Sequence, residues 1–335
     1  MHRSPTAIPS PSFRPWPAAE VAIYNNVLDL IGNTPLVDLS ALSPNPNVRL
    51  LGKLEGQNPG GSVKDRAAKW MIEAAEADGS LLAGQTILES SSGNTGISLA
   101  LIAKVKGYQL KVVLPENVST ERRQLLEVWG AEVISSPGDE GSNGAMRRAQ
   151  ALAGDNPQWW FPYQYGNPAN ALAHFESTGP EILSDCPDVT HFVSGLGTAG
   201  TLMGAGKFLK QHKPDVQIWA IEPPLGEMVD GLKNFDEGFV PPVFLDNGGY
   251  ELLDRKKIVG PRESIEWTRR LMEVGVFAGI SSGAIVAGAV KCAAEIDSGV
   301  VVTIICDGGW KYLSTGAWTD DLEVVTSRAK KVIYF

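Results

Sequence analysis

The sequence predicts an α/β fold of two domains, each a mostly parallel sheet flanked by helices. Three observations predict it. Short runs rich in β-branched residues alternate with helix-length segments, the pattern of parallel layers joined by crossovers. The length of 335 residues is about twice that of an ordinary domain. Loops rich in glycine and hydroxyl residues end several of the strands and lead directly into apolar helices, as they do at the carboxyl edge of an open parallel sheet.

Taken in chain order, residues 1–20 are rich in Pro and Ser and lack the continuous apolar core of a secretory signal, so a disordered tail is expected. The runs VRLLGKLE (48–55), TILESS (86–91), LKVVLPE (110–116) and AEVISSP (131–137) each read as a strand followed by a helix. The pattern resumes with HFVSGLG (191–197), QIWAIEP (217–223) and VVVTIICD (300–307). Pro, Gly and Asn cluster around NPANA at 167–171, which places a boundary near residue 165. The expected domains are therefore 21–165 and 166–330. Residues 224–260 are the least regular part, long enough to be a functional loop rather than a connector.

Composition narrows the function classes. Twenty-nine Lys and Arg against 38 Asp and Glu give a net charge of −9, opposite to the basic footprint of a nucleic-acid or anionic-membrane binder. The uncharged stretch 274–290 has 17 residues interrupted by Gly and Ser, short of the ~20 apolar residues of a spanning helix. Three cysteines, Cys186, Cys292 and Cys306, are odd in number and lack C-x-x-C spacing, which argues against a disulfide framework and a zinc site. No metal is expected, and a cytoplasmic location fits best.

Four loops carry the chemistry. GLGTAGT (195–201) ends a strand and opens a helix, so its glycines bring backbone N–H groups toward an anion. The same residues satisfy G-x-G-x-x-G, and Glu222 ends the next strand, so a nicotinamide-dependent oxidoreductase is one reading. Thr198 and Thr201 suit a phosphate monoester at least as well. SSGNTG (91–96) gathers hydroxyls, an amide and backbone donors at one helix start, a cradle for a carboxylate. In NPGGSVKDR (58–66), Ser62 could cap a helix whose first turn holds Lys64. A lysine there opposes the helix dipole, which makes it a candidate for a covalent role with a neutral or condensed amine. GISSGA (279–284) starts a small-residue helix with Ser281 and Ser282. None of the four histidines, His2, His174, His191 and His212, lies in these loops.

A phosphate loop, a lysine for an imine, a carboxylate cradle and a serine at a helix start together describe a pyridoxal-phosphate site. The chain resembles the cysteine synthase group of fold-type II pyridoxal-phosphate enzymes, the O-acetylserine and O-phosphoserine sulfhydrylases. The resemblance runs through IGNTPLV, NPGGSVKDR, SSGNTGISLA, YQYGNPAN, GLGTAGTLMG, FAGISSGA and KYLSTG in fixed order. NFDEGFVP and GWKYLSTG are most like the branch that takes sulfur from a small carrier protein with a C-terminal thiocarboxylate.

That resemblance implies pyridoxal 5'-phosphate held by Lys64. Gly197, Thr198, Ala199, Gly200 and Thr201 would bind its phosphate, Asn94 its 3'-hydroxyl and Ser281 its pyridine nitrogen. Ser91, Ser92, Asn94, Thr95 and Gln164 would bind the substrate carboxylate. The implied reaction is β-replacement on an O-activated L-serine through an α-aminoacrylate, with sulfide or a carrier thiocarboxylate as nucleophile and L-cysteine as product, in a homodimer. Cystathionine β-synthase and dehydratase-type lyases are the nearer alternatives. Relatives that use O-phosphoserine carry an Arg directly after Glu-Pro, where this chain has Pro224. Lys233 and Lys311 are the substitutes to consider, both by default solvated lysines.

Overall fold

The computed structural model describes residues 23–91 and 93–329. The stretch expected as a tail, and Ser92, lie outside the described residues. The strands are β1 (Leu36–Asp38), β2 (Val48–Leu54), β3 (Thr86–Ser90), β4 (Gln109–Pro115), β5 (Glu132–Ser136), β6 (His191–Gly195), β7 (Gln217–Glu222), β8 (Arg255–Ile258) and β9 (Gly299–Ile305). The helices of the first half are α1 (Lys64–Asp78), α2 (Asn94–Lys106), α3 (Thr120–Val128), α4 (Gly141–Asp155), α5 (Pro168–Ala173) and α6 (Gly179–Asp185). They are followed by α7 (Gly200–His212), α8 (Pro242–Asp246), α9 (Gly249–Leu252), α10 (Pro261–Glu273), α11 (Ile280–Glu295) and α12 (Leu322–Ala329).

All seven strands read from the sequence are present within a residue or two of their expected ends. They form two sheets. The larger runs β1-β2-β9-β6-β7-β8, with only β1 antiparallel to its neighbour, and the smaller runs β3-β4-β5, all parallel. Although β2 precedes residue 165, it pairs with β9 along its whole length, Val48 opposite Gly299 and Leu54 opposite Ile305. The larger sheet is thus built from both ends of the chain.

Parallel strands covered by helices on both faces read as continuous apolar runs, and β9 shows why: Val301, Val302 and Ile304 are all fully buried. Phe192 and Val302 face the cluster that includes Leu202, Met203 and Leu209 of α7, while Val193 and Val301 face Ile285, Val286 and Ala289 of α11. The smaller sheet alternates in the same way, Ile87 and Val112 toward α2, Leu88 and Val113 toward Ala145 and Ala149 of α4. Each such buried aliphatic side chain is worth roughly 1.5–3 kcal/mol. The sequence reading missed β8, because its residues, RKKI, are charged and mostly exposed. Those charges suit an edge strand, where they discourage pairing with another chain. Arg255 and Lys257 stand over Trp219, each 5.2 Å from the ring.

A buried ion network fixes α1 to the larger sheet. Arg66 donates to Glu55 and Glu181 at 2.6 to 2.8 Å, and Lys53 reaches Glu181 at 2.8 Å. Glu181 is held down to about 2; burial opposes this, but its bonds to Arg66 and Lys53 outweigh that cost. Removing one partner of such a network leaves an uncompensated buried charge, typically at a cost of ~3–5 kcal/mol. The network anchors the start of α1, and with it the residue two positions earlier, Lys64.

Candidate active site

The carboxyl ends of β3 and β6 open into the starts of α2 and α7, so the two glycine and hydroxyl loops face each other across the space between the sheets. A cavity of about 540 Å³ lies there, lined by Lys64, Ser91, Asn94, Thr95, Gln164, Gly197 and Thr198. Seven residues singled out from the sequence thus meet at one site. The irregular segment after β7 supplies another wall, from Pro223 through Glu227, Asp230 and Lys233 to Glu237, in accord with the expectation of a functional loop.

Lys64 is the first residue of α1. Its backbone N–H donates to Ser62 Oγ at 3.3 Å, but the N-cap position is Val63 rather than Ser62, the residue expected to cap the helix. Asp65 turns inward, accepting from Gly60 N at 2.5 Å and from Ser98 Oγ, and burial pushes it up to about 6. It stabilises the turn rather than the lysine. The Lys64 amine lies 3.5 Å from Thr198 Oγ1. Burial holds its pKa below the ordinary lysine value, with Cys306 and Asp307 opposing. A buried amine that gives up its proton readily is what imine formation and proton abstraction both require.

Opposite stands the start of α2. Ser91 Oγ accepts from Gly93 N at 3.1 Å and Gly96 N at 3.0 Å, which occupies its two lone pairs and leaves its proton to donate outward. Thr95 Oγ1 donates to Gln164 Oε1 at 2.7 Å, and Gln164 Nε2 donates to Ser90 O at 3.3 Å. Asn94 is fixed at both ends of its amide, donating to Asp307 Oδ2 at 2.7 Å and accepting from Lys311 Nζ at 2.8 Å. Beneath them Glu89 accepts from Ser90 N at 2.8 Å and Gln164 N at 3.2 Å. Burial nevertheless pushes Glu89 up to about 8, so it is protonated at neutral pH. The helix N-terminus and the Ser91 hydroxyl make a rigid cradle for a carboxylate.

The loop between β6 and α7 has the features of a phosphate cradle. Ala199 sits in the left-handed region at φ +68 immediately before α7, which turns the chain from the cavity-lining Gly197 and Thr198 into the helix. A Cβ at Gly197 would lie 2.4 Å from Gly231 O, and one at Gly200 would lie 2.0 Å from Asn170 Oδ1. Neither site admits a side chain. The Thr198 hydroxyl receives bonds from Asn170 Nδ2 at 3.1 Å and Lys64 Nζ at 3.5 Å, so its own proton is directed elsewhere, as an anion would need. Asn170 Oδ1 is itself buried without a partner. These features, with the low-pKa amine, fit pyridoxal phosphate.

Ala199, Gly200, Thr201 and Ser281, also expected at the site, are not among the residues that line the cavity. Ser281 is buried at the start of α11 beside the Cys306 thiol, with which it shares a hydrogen bond. Its neighbour Ser282 is structural, accepting from Cys306 N at 2.9 Å.

Three contributors were not read from the sequence. His174, set aside there because no motif contains it, is fully buried with Nε2 3.1 Å from Thr201 Oγ1 and Nδ1 2.8 Å from Thr178 Oγ1. Burial, then Arg66 and Lys64, hold it neutral, so it orients the threonine hydroxyl without adding charge. Asp307 accepts from Asn94 Nδ2 and, at 2.5 Å, from Tyr312 OH. Arg122 lines the cavity from α3, its Nε bonded to Ser119 Oγ at 2.9 Å and its guanidinium over the Tyr312 ring at 5.1 Å. Lys311, expected as a solvated lysine, is instead fully buried, bonded to Gly60 O at 2.9 Å and to Asn94 Oδ1. Its amine is consumed in holding two loops together, which removes it as a cavity cation.

An α/β protein with a half-buried lysine amine between two loops rich in glycine and hydroxyl donors has the arrangement an aldehyde-cofactor enzyme requires. Residues 27–307 match the family model described as pyridoxal-phosphate dependent enzyme. The chain belongs to that family and takes pyridoxal phosphate as its cofactor. It is 40% identical over 300 residues to cysteine synthase B of Salmonella typhimurium, covering 89% of this chain and 97% of that one. Among solved structures, an O-ureido-L-serine synthase is 38% identical with a TM-score of 0.82, over 89% of this chain and 96% of that one. O-Acetyl serine sulfhydrylase isoform 3 of Entamoeba histolytica is 32% identical with a TM-score of 0.82, over 93% and 97%. Among the described residues no helix is long and apolar enough to cross a membrane.

Proposed function

We propose that this chain is a cysteine synthase that replaces the β-substituent of an O-activated L-serine with sulfur. The observation that carries this reading is the Lys64 amine facing, across one cavity, the neutral donor cradle at the start of α2. Pyridoxal phosphate supplies the electron sink that makes the α-proton acidic and the β-substituent expellable. The chain supplies the rest. Ser91, Asn94, Thr95 and the α2 amides take the substrate carboxylate, with Ser92 assigned the same role. Gln164 is held against Thr95 to keep that surface fixed. The Lys64 amine would hold the cofactor and serve as the base for the α-proton. Thr198, Thr201 and the backbone from Gly197 to Gly200 take the phosphate, and Ser281 takes the pyridine nitrogen, where a hydroxyl need not keep that nitrogen protonated.

The same geometry supports O-phosphoserine as the donor. Pro224 packs toward Gly260, with a Cβ there 3.7 Å from Pro224 Cγ, and does not line the cavity. Lys233 does line it, its amine 3.4 Å from Asn143 Oδ1 and above the rings of Tyr165 and Phe239 at 5.5 and 5.7 Å. It is half-buried, and burial lowers its pKa; a phosphate dianion beside it would oppose that lowering and gain a charge-assisted bond. We infer that the sulfur arrives along the arm of the cavity past Ser314, Val325 and Arg328, as sulfide or as the thiocarboxylate terminus of a small carrier protein. The proposed active form is a homodimer, consistent with the exposed apolar residues Tyr24, Val27 and Leu30.

Turnover of the holoenzyme with sulfide and either O-acetylserine or O-phosphoserine tests the reading by the appearance of L-cysteine. No cysteine from either donor overturns it. Lys233→Ala should raise the KM for O-phosphoserine by about 10-fold or more, the worth of one charge-assisted bond, and leave that for O-acetylserine within about 2-fold. Equal effects on both donors remove Lys233 from leaving-group recognition.

A further inference from the structure

Arg122 and Asp230 face each other across the cavity, one from α3 beside the smaller sheet, the other from the segment that follows β7 of the larger. Their closest approach is 3.3 Å, between Arg122 Nη2 and Asp230 Oδ2, longer than the roughly 2.7–2.9 Å of a well-formed charge-assisted bond. The two partners are unequal. The Arg122 side chain is 9% exposed, held by Ser119 and stacked on Tyr312. It also backs the carboxylate cradle, since a Cβ at Gly93 would lie 2.6 Å from Arg122 Cδ. The Asp230 side chain is 33% exposed and sits in irregular chain. A cation is preorganised on the cavity wall, and the carboxylate against it is the more accessible and less constrained partner.

We propose that Arg122 is an anion subsite of the cavity and that Asp230 is its built-in occupant, a displaceable carboxylate that keeps the subsite closed to oxyanions. The ligand class follows from the chemistry. A group that takes the place of Asp230 on a fork of N–H donors is a carboxylate, phosphate or related oxyanion. The consequence for selectivity also follows. With Asp230 in place, Lys233 is the cation open to a leaving-group phosphate, and Arg122 does not draw the anionic substrate into a second, unproductive register. Without it, a largely buried guanidinium loses a counter-charge and recruits an anion from solution. If Asp230 did no more than tie its segment across the cavity, its loss would loosen that wall and weaken anion binding instead.

This proposal rests on the cavity being the amino-acid site, and its test is independent of turnover. Inorganic phosphate is titrated calorimetrically into the holoenzyme, whose cofactor already fills the phosphate cradle, for the unaltered protein, Asp230→Asn, Lys233→Ala and the double variant. Asp230→Asn should bind phosphate about 10-fold more tightly than the unaltered protein, the gain of one charge-assisted bond. The same gain should persist when Lys233→Ala is the background. Unchanged or weaker binding in Asp230→Asn overturns the proposal. So does a gain that disappears in the Lys233→Ala background, because the anion would then sit on Lys233. Failure of the cysteine-forming assay with success here would leave an anion-gated cavity with a different reaction, so the two readings fail separately.

Discussion

Replacing Glu89 with Gln isolates the most strongly displaced carboxyl beneath the site. Glu89 is completely buried, with two backbone N–H groups as its donors, and burial carries its pKa from 4.5 to about 8. The folded state therefore keeps the proton up to about pH 8, whereas the unfolded chain loses it near the ordinary glutamate value. Stability from this group is fully present below pH 4.5 and is lost as pH rises through 8, at up to about 1.4 kcal/mol per pH unit. Between pH 6 and 8 the expected loss is roughly 2.7 kcal/mol, on the order of 5 °C in Tm. Gln mimics the protonated acid but turns an NH2 toward one of the two backbone donors. Gln164 N, at the longer 3.2 Å, is the one whose bond is surrendered, which adds a pH-independent offset of about 1 kcal/mol. His174, Lys64, Lys233 and Lys311, whose pKa values burial lowers, contribute the opposite slope, but equally in both proteins. The Tm of Glu89→Gln relative to the unaltered protein, followed from pH 5 to 9, should therefore rise steadily, from near equality at pH 5 to a clear advantage at about pH 8, and then level. Parallel curves would refute the claim that Glu89 is buried and protonated.

Lys64→Ala should abolish cysteine formation by well over ~10²-fold, because anchor and base are lost together, while the far-ultraviolet circular dichroism is unchanged. Residual activity near normal would remove Lys64 from the chemistry. Ser281→Ala should shift the visible absorbance of the bound cofactor and slow elimination with little change in Tm, since the hydroxyl's partner in the protein is the weak Cys306 thiol. An unchanged spectrum would assign Ser281 to helix packing alone.

What was legible in the sequence, and what was not, divides along a physical line. The strands and the loops at their carboxyl ends were legible because parallel strands covered on both faces need unbroken apolar runs, and because tight anion-binding turns need small residues at adjacent positions. Lys64 was legible because a cation at a helix start is locally unfavourable. The structure shows why it is tolerated: the amine is largely desolvated and points into the cavity, and Arg66, two residues on, fixes the helix through Glu55 and Glu181. The residues that were missed act through contacts made only when distant elements meet. Arg122 looks like any arginine in ERRQLL until α3 packs beside the segment carrying Tyr312, 190 positions later in the chain.

His174 reaches Thr201 because the chain from His174 to Thr178 forms a π-helical turn, and no 3.6-residue periodicity announces one. Lys311 reads as a surface lysine because the sequence gives no sign that its partners Gly60 and Asn94, more than 200 positions away, surround it. Its neighbours in space include Asp65 and the Asn94 amide, brought there from two distant helix starts, beside Asp307 four residues earlier in its own segment. The same distinction separates the two lysines considered for the donor phosphate. Lys311 gives two of its three donors to Gly60 O and Asn94 Oδ1 and does not line the cavity, so reaching a substrate phosphate would disturb bonds that hold the Asn94 loop in place. Lys233 has one long bond to an amide oxygen and two aromatic faces, contacts that survive the arrival of an anion. Burial lowers the pKa of both, but only at Lys233 can an anionic ligand oppose that without dismantling the site.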